Sequence, residues 1–142
     1  MKTIITNSEQ ETKNIARDIA SKVDKKAVIV LSGELGAGKT KFTEGFLSYF
    51  GLENEISSPT FTIVNEYKNK DITIYHFDVY RLSDVDEFYA IGGEEYFSKG
   101  ICIIEWGEII KDILPKDCIK INIEKDKNEF DKRIIKIENG MI

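Results

Sequence analysis

The chain has 142 residues, of which 42% are hydrophobic and 32% are charged, and its formal net charge is −5. This balance excludes the disordered and membrane-spanning classes, and the length predicts one domain over residues 1–142. The acidic charge argues against independent binding to nucleic acid and favours bound Mg²⁺ or a basic partner. Because the N-terminal residues lack the apolar core of a signal peptide, we expect a cytoplasmic protein without membrane contact.

The first third of the chain predicts the order strand, helix, strand, helix. Residues 3–6 are β-rich, and Ser8 followed by Glu11 is a capping-box pattern that begins a helix over 8–23. The continuous apolar run 27–32 is typical of a parallel strand buried on both faces. A glycine-rich turn follows this run, and a second helix is predicted over 39–50.

The remaining elements predict two hairpins with short helices and a buried strand between them. The predicted strands are 61–67, 72–80, 101–105, 118–124 and 130–138. The predicted helical pieces are 84–97, interrupted at two glycines, and 108–113. Helices therefore cover a mixed sheet with a parallel centre and antiparallel hairpin additions, although these patterns do not fix the strand order.

The turn after the second strand carries the sequence GELGAGKT, residues 33–40, which matches the phosphate-loop pattern G-x-x-x-x-G-K-[S/T] in full. Its glycines permit a turn whose N–H groups converge on a phosphate chain, and the following helix directs its positive end to the same place. Lys39 is expected to reach the β- and γ-phosphates and the Thr40 hydroxyl to bind Mg²⁺. The predicted fold class is therefore α/β, as a P-loop NTPase-like three-layer fold.

Two carboxylates are candidates for the rest of the metal site. Glu105 follows four apolar residues, which is the Walker B pattern with Glu in place of the usual Asp. Asp78 lies in HFDVYR, where period-2 alternation puts His76, Asp78 and Tyr80 on one strand face. The alternatives are a strand-terminal Glu105 that faces solvent, an edge strand with a solvated face, and a structural histidine.

Two further residues have both a functional and a structural interpretation. Thr60, in the loop SSPTF, stands where nucleotide switches place a hydroxyl that senses Mg²⁺ and the γ-phosphate, but a simple strand-entry turn is an equal alternative. Trp106 follows Glu105 directly. Its first interpretation is core packing, and its second is a base stack or a partner contact beside the nucleotide site.

Four segments in one order, GELGAGKT, SPTFTIV, HFDVYR and IIEWGE, resemble the TsaE family of small bacterial ATPases, formerly YjeE, over nearly the whole chain. The resemblance implies a P-loop ATPase required to form threonylcarbamoyladenosine in tRNA. It implies that the protein acts with a heterodimer of TsaB and TsaD, whose repeated turnover its ATP hydrolysis supports, and that it meets tRNA only through that complex. His76, Tyr80 and Arg81 complete the family signature without assigned roles.

The predicted site follows from the motifs and the resemblance together. The predicted catalytic residues are Glu105, Lys39 and Asp78, and the predicted metal ligands are Thr40, Asp78 and Glu105. The residues predicted to bind ATP or ADP are Glu34, Leu35, Gly36, Ala37, Gly38, Lys39, Thr40, Lys41, Thr60 and Trp106. Hydrolysis by the isolated protein should be slow, because arginines that could stabilise the transition state are scarce: the chain has only three. A small-molecule kinase and a nucleotide-dependent binding switch with negligible hydrolysis are the alternatives.

Overall fold

A computed structural model describes residues 2–34, 36–55, 64–79, 82 and 84–138 of the chain. The strands in this part are β1 (Lys2–Thr6), β2 (Val28–Ser32), β3 (Val64–Lys68), β4 (Thr73–Asp78), β5 (Ile101–Glu105), β6 (Ile119–Lys125) and β7 (Arg133–Glu138). The α-helices are α1 (Glu9–Lys22), α2 (Lys39–Tyr49) and α3 (Val85–Ala90). Short 3₁₀ segments span Glu53–Glu55, Gly93–Ser98 and Gly107–Ile113. These bounds confirm the predicted elements to within a few residues, while residues 61–63 of the predicted third strand and residue 80 of the predicted fourth strand lie outside the described residues.

The strands form one sheet with the order β1-β7-β6-β2-β5-β4-β3. The centre is parallel, because β2 pairs with β5 and β6, and β4 pairs with β5, in the same direction. The hairpins β3–β4 and β6–β7 are antiparallel, and β1 joins the sheet antiparallel to β7. The predicted mixed sheet with a parallel centre is therefore confirmed. The carboxyl ends of the parallel strands lie together at one edge of the sheet, where open α/β sheets bind their ligands. These strands are β2, β4, β5 and β6.

Helices α1 and α2 cover one face of the sheet. Alternate residues of the central strands point to this face and pack with the apolar sides of both helices. The largest fully buried side chains in this layer are Ile19, Ile29, Leu31, Phe42, Phe46, Leu47, Ile74, Ile101 and Ile103. Because β2 and β5 are buried on both faces, their sequences are continuous apolar runs and show no alternation.

Helix α3 and the 3₁₀ segments around it cover the other face. This second core contains Phe77, Phe88, Ile104 and Ile110, all fully buried. Gly92, with φ of 71°, separates α3 from the next 3₁₀ segment, which confirms the predicted interruption. The molecule therefore has three layers, as predicted.

Strand β4 decides between the alternatives for HFDVYR. It lies between β3 and β5 and is not an edge strand of the described sheet. His76 is 6% exposed, so the face that it shares with Asp78 is covered rather than solvated. The edge-strand alternative is therefore wrong. Within the part of the chain described above, no helix combines the length and apolar character needed to cross a bilayer.

Candidate phosphate-binding site

The loop after β2 turns sharply because its glycines adopt backbone conformations closed to other residues. Gly33 has φ of 147° and Gly38 has φ of 109°. A Cβ atom on Gly33 would lie 2.5 Å from the carbonyl oxygen of Ile123 in β6, so only glycine fits there. Gly38 is also the N-cap of α2, and because glycine has no side chain it makes no capping hydrogen bond at this helix end. The uncapped start of α2 therefore offers backbone N–H groups and positive dipole to an anion.

Ala37 has both of its backbone polar groups engaged inside the protein. Its N–H donates to the Glu34 carbonyl at 3.0 Å, and its carbonyl accepts from Arg133 Nε at 2.8 Å. Its side chain is fully buried. The Ala37 N–H is thus directed into the loop in this structure, so it is not among the amides that converge on a phosphate chain as the sequence predicted.

Lys39 lies at the centre of the site. Its side chain is 8% exposed, and its ammonium lies 3.7 Å from Glu105 Oε1. The same ammonium lies 4.2 Å from the centre of the Trp106 ring, which is a cation–π distance. A buried cation needs such partners. Because 3.7 Å exceeds hydrogen-bond distance, Lys39 and Glu105 form an ion pair without a hydrogen bond.

Glu105 joins the loop lysine to strand β4. Its second oxygen, Oε2, lies 2.5 Å from Nε2 of His76. Strands β4 and β5 pair in register with Asp78 opposite Glu105, so the two predicted carboxylates leave the sheet side by side. Glu105 is 17% exposed. The alternative of a strand-terminal glutamate facing solvent is therefore wrong.

The surroundings of Glu105 keep its carboxyl group ionised. Burial acts to raise the pKa, but the hydrogen bond and charge of His76 and the charge of Lys39 together outweigh it, so the pKa lies below its ordinary value. The carboxylate is therefore available at neutral pH to accept hydrogen bonds or to bind a cation. On His76, the other ring nitrogen, Nδ1, is buried without a hydrogen-bond partner among the described residues.

Trp106 has an unusual backbone. Its φ of 63° is the single positive φ of a non-glycine residue in the described parts of the chain. Such a conformation costs energy and is retained where neighbouring structure requires it. The half-buried Trp106 side chain packs against the second core while its ring faces Lys39. The core-packing interpretation therefore holds in part, and the base stack or partner contact stays a prediction.

Comparison with known proteins assigns this arrangement to a family. The family model "Threonylcarbamoyl adenosine biosynthesis protein TsaE" matches residues 6–135. The chain belongs to the TsaE family. A TsaE protein of Rickettsia bellii is 43% identical over 136 residues, which cover 95% of this chain and 93% of that protein. A TsaE protein of Bacillus subtilis is 41% identical over 121 residues, or 84% of this chain and 75% of that protein.

A solved structure confirms the fold. The crystal structure of Bacillus subtilis YdiB superposes with a TM-score of 0.73 at 35% sequence identity, covering 94% of this chain and 82% of that chain. The predicted P-loop NTPase-like fold and the resemblance to the TsaE family are thus both confirmed. The proteins of this family take part in the biosynthesis of threonylcarbamoyladenosine in tRNA.

The structure brings some residues of the predicted TsaE site together and leaves others apart. Thr40 and Glu34 are exposed and Asp78 is half-buried beside Glu105. The Lys41 ammonium pairs with Glu44 of its own helix at 3.6 Å. Leu35, Thr60, Tyr80 and Arg81 lie outside the described residues. No group of three or more His, Cys, Asp or Glu side chains placed to hold a metal occurs among residues that the structure describes.

Three residues at the TsaE site had no role assigned from the sequence. His76 was visible in the family signature, and the structure supplies its partner, Glu105. Lys125 and Arg133 come from the C-terminal hairpin, which has no recognisable signature. The Lys125 ammonium lies 3.2 Å from where a Cβ on Gly36 would lie, and Arg133 contacts Ala37. The parallel pairing of β2 with β6 was the missing information, because it places this hairpin beside the loop.

Proposed function

We propose that this protein binds ATP with Mg²⁺ and hydrolyses it to support tRNA N6-threonylcarbamoyladenosine synthesis. In this proposal it acts in the cytoplasm on a complex of TsaB and TsaD and meets tRNA only through that complex. Membership in the TsaE family supports the pathway. The fold, shared with YdiB, supports nucleotide binding.

One observation carries the proposal: a buried lysine lies at the uncapped start of α2 with an ionised glutamate from the neighbouring strand end beside it. Lys39 and Glu105 form this pair, and His76 holds the glutamate from behind. Helix-terminal amides and an ammonium suit a polyphosphate, and a carboxylate on the adjacent strand suits the attacking water or the metal. A merely structural ion pair would not require the glycine-rich turn that precedes it.

The residues of the site fit a magnesium ion that the nucleotide helps to hold. Mg²⁺ prefers oxygen ligands and keeps several waters, so one hydroxyl and one or two carboxylates suffice when phosphate oxygens complete the shell. Thr40, Asp78 and Glu105 would supply these oxygens. When bound, the ion would neutralise charge on the β- and γ-phosphates.

The chemistry of this chain's own residues follows from their placement. Lys39 would stabilise the negative charge that develops on the β,γ-bridging and γ-phosphate oxygens. Glu105, kept ionised by its neighbours, would orient a water for in-line attack on the γ-phosphorus. His76 would hold Glu105 in the orientation that this step needs, because it fixes Oε2 and leaves Oε1 on the loop side.

The arginines support slow turnover by the isolated protein. Arg17 donates to Ser48 Oγ, between α1 and α2, and Arg133 donates to backbone carbonyls of the loop and the hairpin. Arg81 lies outside the described residues. An arginine supplied by a partner accelerates phosphoryl transfer by about 10³–10⁵-fold in other nucleotide hydrolases, so a partner can control the rate.

Phosphate release tests the proposal. The protein with Mg-ATP should release phosphate slowly, and addition of TsaB and TsaD should raise the rate. If no phosphate is released under any condition although nucleotide binds, the protein is a binding switch. If a phosphorylated small molecule forms instead of free phosphate, it is a kinase. Absence of nucleotide binding would reject all three functions.

A further inference from the structure

The C-terminal hairpin β6–β7 lies against the phosphate loop and contacts it through two basic side chains. Lys125, the last residue of β6, pairs in register with Arg133, the first residue of β7. Both side chains reach the loop: the Lys125 ammonium lies over Gly36, and Arg133 Nε donates to the Ala37 carbonyl at 2.8 Å. The loop is therefore flanked by Glu105 on the β5 side and by this hairpin on the β6 side.

The Arg133 guanidinium connects the loop to the hairpin turn. Besides its bond to Ala37, its Nη1 donates to the carbonyls of Phe130 and Lys132, at 2.7 and 3.0 Å. Three carbonyls from two segments therefore share one planar group. The fixed fork of an arginine permits this arrangement, and the single ammonium of a lysine does not reproduce it.

The bond to the Ala37 carbonyl fixes the direction of the next amide. A peptide unit is planar and trans, so its carbonyl and its N–H point in opposite directions. The Ala37 carbonyl and the Gly38 N–H belong to the same unit. When Arg133 holds the carbonyl on the hairpin side, the Gly38 N–H must point to the opposite side. Gly38 is the N-cap of α2, so this amide precedes the amides of the helix start.

We propose that Arg133 is a positioning residue for nucleotide binding, which orients the peptide between Ala37 and Gly38 so that the Gly38 N–H faces the phosphates. This inference rests on the proposed nucleotide site and adds the C-terminal hairpin to it. Arg133 acts through Ala37 and is not a transition-state arginine. Its removal weakens binding of nucleotide, and the loss grows with the number of phosphates that the loop holds.

The test compares Arg133→Gln, Arg133→Lys and the control Lys132→Gln in the full chain. Lys132 is adjacent and also cationic, but its ammonium pairs with Glu129 at 3.1 Å. Binding of Mg-ADP is followed by the fluorescence of Trp106, the single tryptophan of the chain. AMP is titrated in the same way as a comparison ligand with only one phosphate. We expect Arg133→Gln to raise the Kd for ADP about tenfold, in line with loss of a charged hydrogen bond, and the Kd for AMP less.

Arg133→Lys should also bind ADP weakly, because lysine keeps the charge but lacks the planar fork of donors. The control Lys132→Gln should have an ADP Kd within about twofold of the wild type. Melting temperatures without nucleotide show whether each variant is folded. An unchanged ADP Kd in folded Arg133→Gln, full rescue by lysine, or a fall in kcat alone would each overturn the proposal. If Arg133→Gln does not fold, Arg133→Lys supplies the comparison. A wild type that binds no ADP would reject the proposed function itself.

Discussion

The two sides of the phosphate loop differ in chemistry and in how visible they are in the sequence. On the β5 side, Glu105 and Trp106 contact Lys39 and His76 contacts Glu105, and all three belong to recognisable motifs. On the β6 side, Lys125 and Arg133 contact the loop from a hairpin without a motif. We infer that the first side performs the chemistry and the second side shapes the loop. Substitutions on the two sides should therefore change different measured quantities.

The largest effect on nucleotide affinity is expected at Lys39, which lies between Glu105 and Trp106. Lys39→Ala removes the ammonium that the phosphates would contact and leaves Glu105 without its cationic neighbour. Nucleotide affinity should fall about 100-fold, the scale of a lost charged hydrogen bond. Titration with Mg-ADP measures this fall, and Lys22→Ala is the matched control because its ammonium pairs with Asp18 on α1, outside the predicted site. Equal effects of the two substitutions would contradict the central place given to Lys39.

Glu105→Gln should separate chemistry from binding on the β5 side. The amide keeps the shape of the side chain but cannot orient a water as a carboxylate does. We expect kcat for phosphate release to fall about 100-fold or more, while the Kd for ADP changes by less than about threefold. Glu66→Gln, which removes a charge from exposed β3, is the control. An unchanged kcat would show that Glu105 is only a partner of Lys39.

The sequence predicts the β5 side well because its information is local. A strand, a glycine-rich turn and a helix start are contiguous in the chain, so the loop and Lys39 are defined by neighbours. Glu105 and Asp78 end apolar or alternating strands, and parallel strand ends meet at one edge. The contact of His76 with Glu105 is less local, because it depends on the register of β4 with β5.

The β6 side could not be predicted because it depends on strand order. Arg133 is 96 residues from Ala37 in the chain, and neither residue lies in a pattern that indicates the other. The contact exists because β6 pairs with β2, which the alternation of polar and apolar residues does not encode. The engagement of both Ala37 backbone groups inside the protein escaped prediction for the same reason, since it depends on which groups surround the loop.

His76→Ala should have a smaller effect than the change at Glu105. Alanine removes the nitrogen that holds Oε2 and leaves no donor in its place, so the carboxylate is free to rotate. We expect kcat to fall about tenfold with little change in ADP affinity, as for other groups that orient a catalytic ligand. Steady-state phosphate release and Mg-ADP titration measure the two quantities. A loss of affinity as large as the loss of kcat would show that His76 maintains the fold of the loop instead.

The smallest effect is a pH dependence of stability. The pKa of Glu105 is lower in the folded protein than its ordinary value, so this group adds stability above the unfolded pKa. That contribution is lost as the pH falls through the folded pKa. Urea unfolding between neutral and acidic pH should therefore show a steeper loss of stability in the wild type than in Glu105→Gln. Parallel curves would indicate that the pair with His76 does not lower the pKa.

The most direct measurement is a crystal structure of the protein with Mg²⁺ and a non-hydrolysable ATP analogue. We predict that the β-phosphate contacts the Gly38 and Lys39 amides, that the Lys39 ammonium lies between the β- and γ-phosphates, and that Arg133 still holds the Ala37 carbonyl. A nucleotide bound away from residues 33–40, or a Gly38 N–H turned toward the hairpin, would contradict the account of both sides of the loop.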